Sequence, residues 1–288
     1  MTFSRLIRFA NKGETHYGDA VLTDGITDTR LAKKAHKITG DIYGEYTIDT
    51  SETLDIEELL CPLAPKDINT VRLLGLNYAA HAKMAGVEVP KYPILFYKPR
   101  TSVCGPNDPI IVPEIARTDP DTNESEAELV IVMGKSGKNL RKESALEYVL
   151  GYCIGNDVSQ RTWSGERGGG QYSLGKMYDN YAPIGPAIAA PAAFGNPDDT
   201  NLKAHVNDSL RQDSSTKDMV FDCAELVSFL SQGCTLLPGD LIFTGTPLEL
   251  PKFCVSDRLF LKENDIVTLE LEGVGTIANK VVYEYNAK

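Results

Sequence analysis

The stretch DPDTNESEAELVIVMGK, residues 119–135, changes character halfway along. Its first part is polar and acidic. From Ala127 to Met133 every residue except Glu128 is apolar, the β-branched Val130, Ile131 and Val132 dominate, and Gly134 ends the run. That pattern predicts a buried β-strand. The same signal recurs in GYCIGNDVS (Gly151–Ser159), GDLIFTGTP (Gly239–Pro247) and DIVTLELEGVGTIANKVVYEY (Asp265–Tyr285). Helix signals are few and short. SALEYVLG places Ser144 and Glu147 in capping-box spacing, and DCAELVSFLSQG does the same with Asp222 and Glu225 before stopping at Gly233. Many strands and few helices predict an α+β fold that is predominantly β.

The whole chain fits this picture. It has 288 residues, 42% of them hydrophobic, enough for a sizeable core. Residues 1–65 alternate short apolar pieces with Gly and Asp turns and read as a small strand-rich N-terminal domain. The two prolines of CPLAPKDIN (Cys61–Asn69) suit a linker, which leaves 66–288 as the main domain. No internal repeat stands out. The formal charge of -11 argues against nucleic acid or an anionic membrane as the main partner. Six cysteines without a CxxC pair read as free thiols of a reducing compartment. The N-terminus lacks the apolar core of a signal peptide and no 18-residue apolar run exists, so a soluble cytoplasmic protein is expected, with a mitochondrial one not excluded. The long Gly- and Tyr-bearing segment from Trp163 to Pro186 is expected to be functional.

The acidic half of the opening stretch carries Asp119, Asp121, Glu124, Glu126 and Glu128. Glu126 and Glu128 stand two apart where the chain enters the strand, so they share one face. Such a pair repels unless a cation or a shared proton sits between its members. A hard divalent ion such as Mg²⁺ is one solution, and a solvated strand end is the commoner one. Asp157 adds weight to the first, because it ends the apolar run YCIGN, where an unpartnered acid is costly. Three carboxylates would suit Mg²⁺ or Mn²⁺. Lys176, in SLGKMYDNYAP, is a candidate to hold a substrate carboxylate or a developing enolate, or else a solvated charge.

Seven motifs then fall in order: GLNYAAHA, FYKPRTSVCGP, EAELVIVMGK, GYCIGNDVSQRTW, GGGQYSLGKMYDNYAPIGP, VNDSLRQDSSTKDMVF and TLLPGDLIFTGTP. Together they resemble the fumarylacetoacetate hydrolase family over residues 70 to 283, and the early RLIRF and YGD resemble its small N-terminal domain. The resemblance implies a mixed β-sandwich roll, a homodimer, and Mg²⁺, Mn²⁺ or Ca²⁺ held by Glu126, Glu128 and Asp157. It implies a small 2-oxo acid as substrate, with Lys176 as the family lysine. Gln171, Tyr172, Thr246 and Arg161 become candidate substrate contacts, Arg161 being equally a structural one.

In hydrolytic members of that family the base is a histidine, matched here by His81. The acylpyruvase-like branch adds a glutamate three residues later, where this chain has Met84. Glu88 lies in reach along the sequence as a possible substitute, two turns on if a helix carries it. After TGTP the chain continues LELPKFC (Leu248–Cys254) where many relatives have Gly-Val-Gly, which would reshape the pocket or its lid. The leading expectation is metal-dependent hydrolysis of a C–C bond in an acylpyruvate or fumarylacetoacetate type of acid. Decarboxylation or isomerisation of a 2-oxo acid of the oxaloacetate kind is the alternative raised by Met84. A metal-binding member with impaired catalysis is the second.

Overall fold

The computed structural model describes residues 2–23, 25–84, 86–117, 122–248 and 260–285. Asp119, Asp121 and most of the Leu248–Cys254 segment lie outside them.

The opening stretch is the centre of the molecule. The Ala127–Met133 strand is buried at every position. It pairs antiparallel with Val149–Asn156 on one side and with Leu241–Phe243 on the other. Its alternate side chains feed two cores. Leu129, Ile131 and Met133 join one apolar cluster, while Val130 and Val132 join another. A strand covered on both faces reads as a continuous apolar run, which is why the sequence signal was strong.

The first cluster also takes Leu202, Leu269 and Ile277 from a five-stranded sheet built around Asn201–Val206, Ile266–Leu271 and Gly275–Tyr283. Two sheets therefore face one another across a shared core. Among the described residues the larger sheet has 13 strands. It continues from Val149–Asn156 through Ala182–Ala189 to Arg5–Asn11, with Arg5 opposite Ala189 and Leu6 opposite Ile188. The N-terminal strands thus extend the same sheet. The fold is α+β and predominantly β.

Helices behave as the caps require. Asp222 accepts the backbone N–H of Glu225 at 2.8 Å and starts Cys223–Leu230. That helix buries Cys223, Leu226, Val227 and Leu230, the spacing of one helical face. The other expected helix forms differently. Lys142–Tyr148 winds as 3₁₀ turns that begin after Arg141, so Ser144 falls inside the segment and its capping spacing starts nothing. The Trp163–Pro186 stretch contains the end of a short helix, Arg161–Ser164, a 3₁₀ turn, Tyr172–Gly175, and the start of the Ala182–Ala189 strand. The five described cysteines are free thiols. Among the described residues no helix is long and apolar enough to cross a membrane.

Candidate active site

Strand pairing brings three acids together from two places in the chain. Glu126 and Glu128 flank the first residue of the Ala127–Met133 strand, and Asp157 follows its antiparallel neighbour. The Asp157 N–H donates to the Glu126 carbonyl at 2.9 Å, which locks the two chain segments at that point. Carboxylate oxygens of all three residues lie within 4.8 Å of one another, and all three are buried. Gly155 stands opposite Glu128, where a Cβ would lie 2.5 Å from the Phe243 ring. A side chain there would push Phe243 aside next to the acid cluster.

Three cations surround the cluster. The Lys176 ammonium reaches Glu126 Oε2 at 2.7 Å, Asp157 Oδ2 at 2.5 Å and Ser159 Oγ at 2.6 Å. Lys98 approaches the other Asp157 oxygen at 2.9 Å and donates to the carbonyls of Val158, at 3.0 Å, and Tyr181, at 2.5 Å. Arg161 pairs with both Glu124 and Glu126. Burial alone would raise the Asp157 carboxyl, but Lys176 and Lys98 outweigh it and hold the group below its ordinary value. For Lys176 burial works the other way, and the carboxylates of Asp157 and Glu126 override it, so the ammonium is held more firmly than usual. In Lys98 burial wins and lowers the value despite Asp157.

Glu128 is the exception. Its hydrogen bond comes from the Gly245 N–H at 2.7 Å, and it forms no ion pair among the described residues. Burial, then the charges of Asp157 and Glu126, push its carboxyl well above the ordinary range. Gly245 adopts φ +96°, and a Cβ on it would lie 2.9 Å from the Cβ of Asn77, so glycine suits this close turn. A buried carboxylate with a neutral partner, facing two more carboxylates, is a costly arrangement that a cation relieves. An all-oxygen donor set of this kind fits a hard divalent ion, Mg²⁺, Mn²⁺ or Ca²⁺.

The acids line one end of a cavity of about 220 Å³. His81, Tyr172, Phe96, Arg161 and Thr246 form other parts of its wall. His81 is carried by the Ala79–Met84 helix, and its Nδ1 lies 3.3 Å from the Thr246 carbonyl. A carbonyl oxygen only accepts, so in this contact the ring carries a proton on Nδ1. The Tyr172 ring meets Phe96 edge-on at 5.5 Å.

Known proteins share both sequence and architecture with this chain. The family model for the fumarylacetoacetate hydrolase C-terminal region matches residues 70–282. The chain belongs to the fumarylacetoacetate hydrolase family. It is 39% identical over 226 residues to the fumarylacetoacetate hydrolase domain-containing protein 2 homolog of Dictyostelium discoideum, covering 76% of this chain and 73% of the relative. It is 38% identical to a mitochondrial oxaloacetate tautomerase of Xenopus laevis, covering 78% and 68%. Among solved structures, a fumarylacetoacetate hydrolase from Exiguobacterium antarcticum superposes with a TM-score of 0.80 at 31% identity, over 98% of this chain and 100% of the other. A 2-hydroxyhepta-2,4-diene-1,7-dioate isomerase from Mycobacterium marinum does so with 0.79 at 31%, over 98% and 99%. Enzymes of this family thus include a tautomerase, an isomerase and a hydrolase, and in this chain Glu126, Glu128 and Asp157 form a buried acid cluster.

Of the residues singled out in the family motifs, Glu126, Glu128, Asp157, Lys176, Arg161, Tyr172, Thr246 and His81 all reach the cavity wall. Gln171 does not line it. Its side chain accepts the Ser173 N–H at 2.6 Å and caps the Tyr172–Gly175 turn. Glu88 also stays outside. The helix ends at Met84, so it does not carry Glu88 two turns from His81, and Glu88 is exposed beyond it. Met84 lines a small adjoining pocket together with His81 and Arg161.

Motif reading passed over Lys98, Ser159 and Gln212. Lys98 carried a signal: in the Ile94–Lys98 strand it falls two residues after the buried Phe96, on the inward face. Ser159 and Gln212 carried none, since polar residues at strand positions are ordinary.

Proposed function

We propose that this chain is a divalent-metal-dependent enzyme that moves protons on a small 2-oxo dicarboxylic acid, interconverting keto and enol forms of an acid of the oxaloacetate kind. The observation that carries the proposal is the buried Glu126–Glu128–Asp157 cluster beside Lys176, in one cavity with His81. Glu126, Glu128 and Asp157 would hold the metal ion. When bound, such an ion supplies Lewis-acid polarisation of a 2-oxo group and its carboxylate. The protein's own groups do the rest. Lys176 stays protonated under the pull of Asp157 and Glu126 and offers its ammonium to negative charge growing on the substrate oxygen. His81, on the same cavity wall, is the imidazole placed to take a proton from the carbon beside the ketone and to return it. Arg161 and Tyr172, across the same wall, suit a second carboxylate.

Two facts favour proton transfer over hydrolysis. Met84 stands where the acylpyruvase-like branch has its glutamate. Relatives at 38–40% identity bear the name oxaloacetate tautomerase. Hydrolysis is the second reading, favoured by the superposition on a fumarylacetoacetate hydrolase and by the same His81, an imidazole equally able to deprotonate water. Decarboxylation would share the enolate. The homodimer expected from the family is carried as part of the proposal.

The test is to give the Mn²⁺- or Mg²⁺-loaded protein enol oxaloacetate, keto oxaloacetate and an acylpyruvate in parallel. Accelerated decay of enol absorbance, without matching pyruvate or CO₂ release, is the expected result. Acylpyruvate cleavage faster than ketonisation would replace the tautomerase reading with the hydrolase one.

A further inference from the structure

We propose that Leu76 is a specificity-determining residue, which with Phe96 and Tyr172 forms an apolar subsite for an alkyl substituent on the 2-oxo acid. The subsite belongs to the cavity described above and rests on its reading as a 2-oxo acid site. The backbone gives the first observation. Leu76 holds φ +53°, in the left-handed region. Five other described residues besides glycines do the same. Four are asparagines, Asn139, Asn180, Asn207 and Asn264, and the fifth is Lys12, in the exposed hairpin turn ahead of Gly13. Asparagine tolerates this region because its short amide bonds locally, whereas a bulky apolar side chain is only crowded there.

The conformation is imposed from both sides. The Val71–Gly75 strand ends with Gly75 opposite Ile94. Asn77 is clamped: its Nδ2 donates to the Thr244 carbonyl at 2.7 Å and the Phe221 carbonyl at 3.2 Å, and its Oδ1 accepts the Phe221 N–H at 2.9 Å. Leu76 is the single residue between these anchors and takes the turn. Glycine or asparagine would take it with less strain, so the leucine side chain serves some other end. Core packing is not that end. Among the described residues Leu76 neither belongs to an apolar cluster nor packs against one. It is half-buried and lines the cavity of the acid cluster. Phe96 and Tyr172 line it too. The Lys176 ammonium, which touches Asp157 and Glu126, stands 4.9 Å from the centre of the Phe96 ring. Tyr172 meets Phe96 edge-on and comes within 3.2 Å of where a Cβ on Gly75 would stand. The apolar wall thus starts beside the acids and runs to the turn at Leu76. Tyr172 contributes its ring here, its hydroxyl being the part suited to a carboxylate. An alkyl group on the third carbon of a 2-oxo acid would bury itself along this wall, whereas unsubstituted oxaloacetate brings only polar atoms and hydrogens to it.

N-alkyl oxamates test the subsite without turnover. They keep the 2-oxo acid head, have no carbon beside the carbonyl to lose a proton, and carry a chain that can be lengthened. Calorimetric titration of Mn²⁺-loaded protein with oxamate and its N-methyl, N-ethyl and N-propyl derivatives is expected to show Kd falling about 3- to 4-fold per added carbon, the value that burial of one CH₂ carries. Leu76→Asn is expected to flatten this series and to raise Tm by about 2–4 °C as the strained turn relaxes. If that variant does not fold, Leu76→Gly serves for the binding series, since glycine is at home at positive φ. A wild-type series that is flat or weakens with chain length overturns the proposal. So does a Leu76→Asn series as steep as that of the wild type, whatever its Tm. Binding of none of the oxamates overturns the subsite and the 2-oxo acid reading together. A steep series in a protein that ketonises neither oxaloacetate nor its 3-methyl derivative upholds the subsite and overturns the tautomerase reading alone.

Discussion

At the level of single residues, Met84 and Lys98 carry opposite lessons. Met84 borders the small pocket that also contains His81 and Arg161, so a carboxylate placed there would sit beside the imidazole. Met84→Glu is therefore expected to strengthen the His81 base and to raise acylpyruvate hydrolysis by up to about 100-fold, the lower end of what general-base assistance contributes. Parallel assays of cleavage and ketonisation check it, and unchanged cleavage with intact folding would count against a dyad at this position. Lys98 is a case of stability. Its ammonium meets Asp157 and two carbonyls without access to water. Lys98→Met leaves that buried acid short of a partner, which costs about 3–5 kcal/mol and lowers Tm by on the order of 10 °C. Thermal melts of metal-free protein measure this, and a drop of a degree or two would mean that Lys176 alone suffices. The motifs made His81 and the acids legible. Lys98 was half legible, through the alternation of Phe96 and Lys98. Gln212 was not, because its partners lie 85 and 34 residues away and only the folded sheet shows them.

At the level of elements, the start of the Ala127–Met133 strand concentrates a conflict between stability and chemistry. A carboxyl whose folded value is raised favours the folded state while protonated and loses that contribution as pH climbs. Glu128 is raised well above its ordinary 4.5, so metal-free protein should lose stability as pH rises from there through the raised value. Asp157 is depressed below its ordinary 3.8, so the stability it contributes is present above that value and disappears as pH falls through its lower folded value. The two windows are distinct. Glu128→Gln is expected to flatten the decline above 4.5 and to raise the metal-free Tm at pH 8. The same change should abolish stabilisation by Mn²⁺, which for the wild type amounts to about 2.7 kcal/mol at a hundredfold excess over Kd. Melting curves from pH 5 to pH 8, with chelator and with Mn²⁺, record both effects. A metal-free Tm that climbs with pH would show that Glu128 already has a cation. This strand was readable because both of its faces are buried. The Lys142–Tyr148 segment is a short helix as expected, but of 3₁₀ turns that begin after Arg141, since capping spacing is a local signal; Ala145 packs into the core.

At the level of the whole molecule, the N-terminal strands are built into the sheet that carries the acid cluster. The change of character near residue 65 and the family match beginning at residue 70 both set the first strands apart. Arg5–Asn11 lies directly against Ala182–Ala189 in that sheet. Leu6, Ile7 and Phe9 are without solvent exposure, and Leu6 shares an apolar cluster with Val130, Val132 and Ile188. Full burial of each such side chain contributes about 1.5–3 kcal/mol. Removing residues 1–60 would strip this cover and expose the Ile188–Ala189 end of the fully buried Ala182–Ala189 strand as an edge, while Ala182 and Pro183 stay paired with Val103 and Cys104. Exposed apolar edges pair with other chains. A chain beginning at Cys61 is accordingly expected to aggregate and to show no Mn²⁺-dependent melting, even though every candidate site residue is retained. Light scattering and melts of the purified fragment decide the matter. A monodisperse fragment with cooperative, Mn²⁺-sensitive unfolding would establish the main segment as an autonomous domain. The expected aggregation would instead make the N-terminal strands part of the scaffold that holds Asp157 against Glu126, since Val149–Asn156, which leads into Asp157, is the next strand in from that edge.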